Sequence, residues 1–480
     1  MNTKIPDIKR KGLLGIAYFL GNSTYSAILG LVANLVFTIF LQPSEYGLYF
    51  IVLSIMTIFN YFTDVGLAAS LIQHKNPGDN EYHTAFTIQI GLVTTIVAIG
   101  AALTPVIGTF YHFSVSGITL YIAMLISLFL LSLKSIPSAR LERELEYSKI
   151  VATQAIESTL FYVVSIVFLL AGFKIYALAI AVIIRSIAGM TLIYGLTKWR
   201  PRLYFDKVHA KAILSFGIPF QSNVLLAFVK DDLLNLYMAN VLGLSGIGYV
   251  GWAKKWAEAP LRIIIDNLNK VLFPVFSKMQ DDKEKLAHSL EKIIFYNCLL
   301  LFPVLVGAYF MMPLFVAIIP KYQKWTTALP SFSFFLISSL LVSFTTPAIN
   351  MFNAIGKVRI SVKFMILWII LNWTMVPLSI HFFGLVGVSI AFALNATSFV
   401  LVIWQLKRNI PFQFIKSVFK PAVATVIMAV ILTIIQRFDF SYYMKSVVLF
   451  GAGAISYSAA IMFMTKGSFI NEIWALIKKK

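Results

Sequence analysis

What most constrains this chain is a succession of long apolar runs, from about residue 13 to residue 465, separated by short polar connections. A bilayer core about 30 Å thick needs about 20 apolar residues per helix. That ruler marks segments near 13–41, 46–72, 83–110, 116–134, 150–172, 175–198 and 209–242, then near 246–277, 287–318, 326–355, 360–382, 385–406, 413–436 and 441–465. The runs are continuous rather than alternating, so they predict helices and not barrel strands. The expected fold is all-α, a polytopic membrane protein of about fourteen transmembrane helices. Several runs exceed one span, which predicts tilted or kinked helices. Composition agrees: 59% of the 480 residues are hydrophobic and 12% are charged, against about a quarter charged in soluble domains.

Lys and Arg are retained on the cytoplasmic side of a membrane, and here they sort the loops. With a cytoplasmic N-terminus, inner segments hold 29 of the 40 basic residues and outer loops hold 5, namely Lys174, Lys321, Lys324, Arg437 and Lys445. Both termini are therefore expected on the cytoplasmic face of a plasma (inner) membrane. The same distribution accounts for the net charge of +20. Basic residues spread over every inner loop do not form a nucleic-acid patch. The first apolar run follows Lys4, Lys9, Arg10 and Lys11, is too long for a signal-peptide core and lacks a small-residue cleavage site, so it reads as the first membrane helix.

Other chemistries find no support in the residues. The single Cys298 excludes an internal disulfide and a cysteine-built metal site, and the six histidines are scattered. The longest connections, near 135–149, 199–208 and 278–286, leave no room for a catalytic or nucleotide-binding domain. Gly246, Gly248 and Gly251 spell G-x-G-x-x-G, but no strand precedes them and no βαβ unit surrounds them. Asn22, Asn372 and Asn395 start glycosylation-like triplets inside expected spans. No cofactor is expected.

The chain also repeats. A shift of 210 aligns Ala177 with Gly387, Ile180 with Ile390, Ala181 with Ala391 and Lys198 with Arg408, and "SEYGLY" at 44–49 parallels "SGIGYV" at 245–250. Both copies start on the cytoplasmic side, so they read as parallel repeats about an axis along the membrane normal. The expected division is an N-terminal lobe over 1–205, a C-terminal lobe over 206–410, and two added helices with a basic tail over 411–480.

Charges within the spans are the strongest functional pointers, because each costs roughly 2.5–3.5 kcal/mol at mid-bilayer. The eighth span carries Lys254, Lys255, Glu258, Arg262, Asp266, Asn269 and Lys270. At 100° per residue those from Lys255 to Lys270 fall in a stripe about 120° wide that climbs about 22 Å. Its charge is net positive, which suits an anionic, phosphate-bearing guest. Elsewhere the spans carry Lys230, Asp231, Asp232, Asp64, Glu157 and Arg185, with Glu157 and Arg185 as a candidate pair.

Three stretches carry a family resemblance. One runs Tyr46-Gly47-Leu48, then Asp64, Gly66-Leu67 and Leu71-Ile72-Gln73; another holds Pro137, Arg140, Arg143 and Tyr147. The third holds Leu242-Gly243, Gly248-Tyr249, Ala257, Pro260 and the run Val271 to Ser277. The chain thereby resembles the polysaccharide transporters, or oligosaccharide flippases, of the multidrug/oligosaccharidyl-lipid/polysaccharide exporter superfamily. One departure from the resemblance is that Asn240-Val241 precede the Leu-Gly pair, where many members carry a basic residue. The resemblance implies a transporter, not an enzyme. It would move a polyprenyl-diphosphate-linked oligosaccharide from the inner to the outer leaflet by alternating access, for cell-surface polysaccharide export. Lys254, Lys255, Arg262, Lys230, Arg185 and Lys270 are then the expected substrate-binding cations. Asp64, Glu157, Asp231, Asp232, Glu258 and Asp266 would balance charge or couple to H+ or Na+. Implied partners are the lipid-linked oligosaccharide, membrane lipids and polysaccharide assembly proteins, with no nucleic acid. The alternatives are a multidrug or ion-coupled exporter of the same fold, and a membrane glycan polymerase or ligase.

Overall fold

A computed structural model describes residues 5–74, 77–222, 225–266, 272 and 276–466. Among them are helices and no strand. Among the described residues twelve helical segments are long and apolar enough to cross a membrane, so the chain is a multi-pass membrane protein. Two of the twelve are pairs. Val358–Lys407 has 50 residues, which would make a straight rod of about 75 Å, more than twice the bilayer core. It breaks at Gly384 (φ 57, ψ −135), as Phe228–Ile265 breaks at Gly243 (φ 69, ψ 177). Only glycine enters this left-handed region without a steric cost. Divided there, the spans come to about the fourteen expected.

Two further breaks depart from the expected runs. The second span ends at Thr63 and resumes as Leu67–Gln73. Gly66 supplies the left-handed turn (φ 71). Asp64 Oδ1 accepts the amide N–H of Leu67 at 2.9 Å and of Ala68 at 3.4 Å, and Ser135 donates to its Oδ2 at 3.3 Å. Side-chain oxygens at a helix start satisfy amides that have no helical partner. The stretch read as a loop near 135–149 instead continues Val115–Leu133 as a helix, Ser135–Arg143. Pro137 sits in the first turn of that helix, where its missing N–H costs no hydrogen bond. Arg140 then reaches Asp79 at 3.0 Å, and Arg143 donates to the carbonyl of Leu71 at 3.0 Å.

By contact the chain divides into two compact units, Met1–Gly251 and Trp252–Lys480. In the first, Tyr147–Leu170 packs on Tyr176–Thr197 and on Ile5–Phe40, and small residues such as Ala177 and Ala181 are fully buried. In the second, Lys283–Ile318 is the hub, packed on Leu329–Ala354, Phe414–Gln436 and Tyr442–Thr465. Cys298 is buried there among Leu290, Ile294, Phe302 and Met351. The outside of each unit is apolar: Val106 and Leu170 in the first are 61% and 62% exposed, and Phe450 and Phe463 in the second 72% and 87%, which a lipid surrounding explains and water would not.

Within the first unit Pro43–Thr63 crosses the 244–251 stretch with backbones in contact. A Cβ on Gly47 would meet the Leu244 carbonyl oxygen and the Gly248 nitrogen, and a Cβ on Gly248 would meet the Pro43 carbonyl oxygen and the Gly47 nitrogen. Each glycine touches the other's helix through equivalent atoms, the reciprocity of a two-fold contact. These are the glycines of the paired stretches 44–49 and 245–250. Such close approach is how membrane helices associate without a hydrophobic drive. Gly47→Ala and Gly248→Ala should each destabilise the detergent-solubilised protein by roughly 1–3 kcal/mol. Gly91→Ala, helical with nothing within 4 Å, should not destabilise it. Thermal melts of the three variants compare them.

Candidate functional site

The polar segment of the second unit begins at a fully buried anchor. Trp252 stacks on Trp325 (5.4 Å between centroids, 7° between planes) and donates Nε1–H to the Tyr322 hydroxyl at 3.1 Å. Ala253 and Ala257 are fully buried on the same packed side. With that side fixed, helical geometry turns Lys255 outward, and it is exposed. Lys254 lies between the two faces, its Nζ 4.4 Å from the centre of the Phe392 ring.

Glu258 is flanked by cations one turn away on each side. Its Oε2 accepts two bonds from Arg262, from Nε at 3.2 Å and from Nη2 at 2.8 Å, while its Oε1 stands 4.0 Å from the Lys254 ammonium. The Arg262 side chain is nonetheless 63% exposed, against 21% for Glu258 and 19% for Lys254. Pro260 lies inside this helix and has no N–H for the Trp256 carbonyl. Two residues on, the backbone passes into a π-turn, Arg262–Asp266. A π-turn advances less per residue than an α-helix and recurs at functional sites. The ideal 100° spacing therefore fails beyond Arg262, and Asp266 does not keep its expected register. Lys270 and Asn269 lie outside the described residues, as does the side chain of Asp266.

In the first unit the buried carboxylate Glu157, 3% exposed, forms an ion pair with Lys134. This corrects the expected Glu157–Arg185 pair. Lys134 lies at the end of Val115–Leu133, turned in by the helix that continues beyond it, and Gly189 leaves the room that the carboxylate occupies. Arg185 instead lies over the Phe161 ring at 5.7 Å, with its Nε buried and without a hydrogen bond. Lys230 pairs with its neighbour Asp231 at 3.4 Å, and Asp232 is half-buried beside them. Asp64 is engaged in the capping described above. The second unit thus carries Lys254, Lys255, Glu258 and Arg262 on one helix, and the first unit brings Glu157 to Lys134, whose neighbour Ser135 bonds Asp64. Sequence reasoning missed Lys134 because a cation at the end of an apolar run reads as a loop residue.

Solved structures share this architecture. The lipid II flippase MurJ in its inward closed conformation matches with a TM-score of 0.76 over 94% of this chain and 99% of that one, at 14% identity. An inward-facing multidrug resistance MATE family transporter of the MOP superfamily matches with a TM-score of 0.63 over 81% of this chain and 95% of that one, at 16% identity. The fold is that of the MurJ and MATE transporters. The family described as polysaccharide biosynthesis protein matches residues 36–330, and the chain belongs to it. Among individual relatives, the lipopolysaccharide biosynthesis protein WzxC of Escherichia coli (strain K12) is 26% identical over 76% of this chain and 74% of its own length. The succinoglycan biosynthesis transport protein ExoT of Rhizobium meliloti (strain 1021) is 20% identical over 90% and 89%.

The buried pair yields a stability test. Glu157→Ala leaves Lys134 charged in an apolar setting and should destabilise the protein by about 3–5 kcal/mol. Replacing both residues with Leu or Met should restore most of the loss, read as the melting temperature in detergent.

Proposed function

We propose that this protein is a flippase. It translocates a polyprenyl-diphosphate-linked oligosaccharide from the inner to the outer leaflet of the plasma membrane by alternating access, in cell-surface polysaccharide export. It is a transporter rather than an enzyme. The observation that carries the reading is the exposed Lys255 and Arg262 on a helix of a many-spanning protein whose family serves polysaccharide biosynthesis. Three cations, Lys254, Lys255 and Arg262, stand against one carboxylate, Glu258, in this segment. A diphosphate offers the geometry that a guanidinium fork grips.

In this reading the cations hold the diphosphate or acidic sugars, with Lys230, Arg185 and Lys270 assisting and the polyprenyl tail left in lipid. Asp64, Glu157, Asp231, Asp232 and Asp266 balance charge or bind a coupling H+ or Na+. The lobes are 1–205 and 206–410, with 411–480 appended, and both termini are cytoplasmic, as the basic loops support. Polysaccharide assembly proteins are the expected downstream partners. The MATE-like fold supports a second reading, a multidrug exporter. A cationic drug would meet repulsion from the net-positive segment, which favours the anionic cargo.

Charge-assisted hydrogen bonds contribute about 1.5–3 kcal/mol each. Arg262→Ala combined with Lys255→Ala should therefore lower glycan export by about tenfold or more at normal expression, in a strain lacking the native gene. Undiminished export by the double variant would refute the assignment, and drug sensitivity of that strain without a glycan defect would favour the exporter.

A further inference from the structure

Glu258 has a geometry that simple charge balance does not require. Both of its contacts with Arg262 fall on one oxygen, Oε2, and the other oxygen points toward Lys254. The ion pair with Arg262 is half open to its surroundings, and such pairs are weak and readily exchanged. Lys254 is the less exposed cation and has a second support, the face of Phe392. The carboxylate therefore stands between one exposed cation that another anion can reach and one sheltered cation that can keep it.

We propose that Glu258 is a resident counter-ion that the diphosphate displaces, a positioning residue that sets how tightly the cargo is held. Before loading, Glu258 neutralises Arg262 and keeps the guanidinium extended. The diphosphate carries more negative charge than a carboxylate and takes Arg262. Glu258 then remains beside Lys254, so no carboxylate is left without a cation. On release Glu258 reclaims Arg262, which helps to expel the cargo and discourages rebinding. Pro260 and the π-turn lie where the helix must yield if Arg262 is to change partners. This inference rests on the reading of Arg262 as a diphosphate ligand.

The test is titration of the detergent-solubilised full chain with farnesyl diphosphate, with farnesyl monophosphate as the charge control. Removing the competing charge in Glu258→Gln should tighten diphosphate binding by about tenfold and slow glycan export in cells. Glu258→Asp, which keeps the charge but shortens its reach, should lie between it and the wild type and serves if the Gln variant does not fold. In an Arg262→Ala background the tightening should vanish, since the two groups act on each other. Arg262→Ala that binds like the wild type means that the diphosphate reading itself fails. Arg262→Ala that weakens binding, with Glu258→Gln no tighter than wild type, overturns the counter-ion proposal alone.

Discussion

Inside a bilayer a peptide group or a charge has no water to turn to, and most of this structure follows from that. Helices satisfy the peptide groups internally. Where the chain must break a helix, it supplies the missing partners locally. Gly243 and Gly384 make turns that other residues would resist, and Asp64 bonds the amides freed at Leu67 and Ala68. Charges obey the same constraint. Lys134 and Glu157 are buried as a pair, and Lys230 keeps to Asp231. Lys255 and Arg262 stand exposed in a segment that is otherwise anchored by tryptophan and alanine. Charge placed this way in a membrane helix is costly beside lipid, and it is what the proposed binding of an anionic cargo rests on.

The anchor and the irregularity of that segment belong together. Trp252, held by Trp325 and Tyr322, fixes the rotation of the helix at its start. Pro260 and the π-turn interrupt its regular hydrogen bonding at the level of Arg262. A fixed start presents Lys255 in a defined place, and the backbone turns irregular where Arg262 stands, which is where the proposed exchange of partners would occur. The reciprocal contact of Gly47 and Gly248 is a comparable device in the first unit, where paired sequence stretches meet backbone to backbone.

The sequence conveyed the spans and the polar helix well, because a bilayer demands long apolar runs and penalises every exception. It conveyed breaks poorly. The turn at 64–66 and the helix at 135–143 involve only a few residues, and hydropathy does not register a left-handed glycine or a proline in a first turn. Partner choice was also hidden. Arg185 and Lys134 are equally good cations for Glu157 on paper; the helix that extends beyond Lys134 and the space at Gly189 decide the matter. The stripe on the eighth span was drawn with α-helical spacing, which holds as far as Arg262 and fails in the π-turn that starts there.

The central claim is that this chain carries a lipid-linked oligosaccharide across a bilayer. The direct measurement is reconstitution of the purified protein into liposomes with the lipid-linked oligosaccharide that accumulates in a deletion strain, followed by access of a glycan-cleaving enzyme from outside. Protein-containing vesicles should expose nearly all of the glycan quickly, while protein-free vesicles should leave the inner-leaflet half protected. Equal protection in the two, with correctly folded protein in the membrane, would contradict the account.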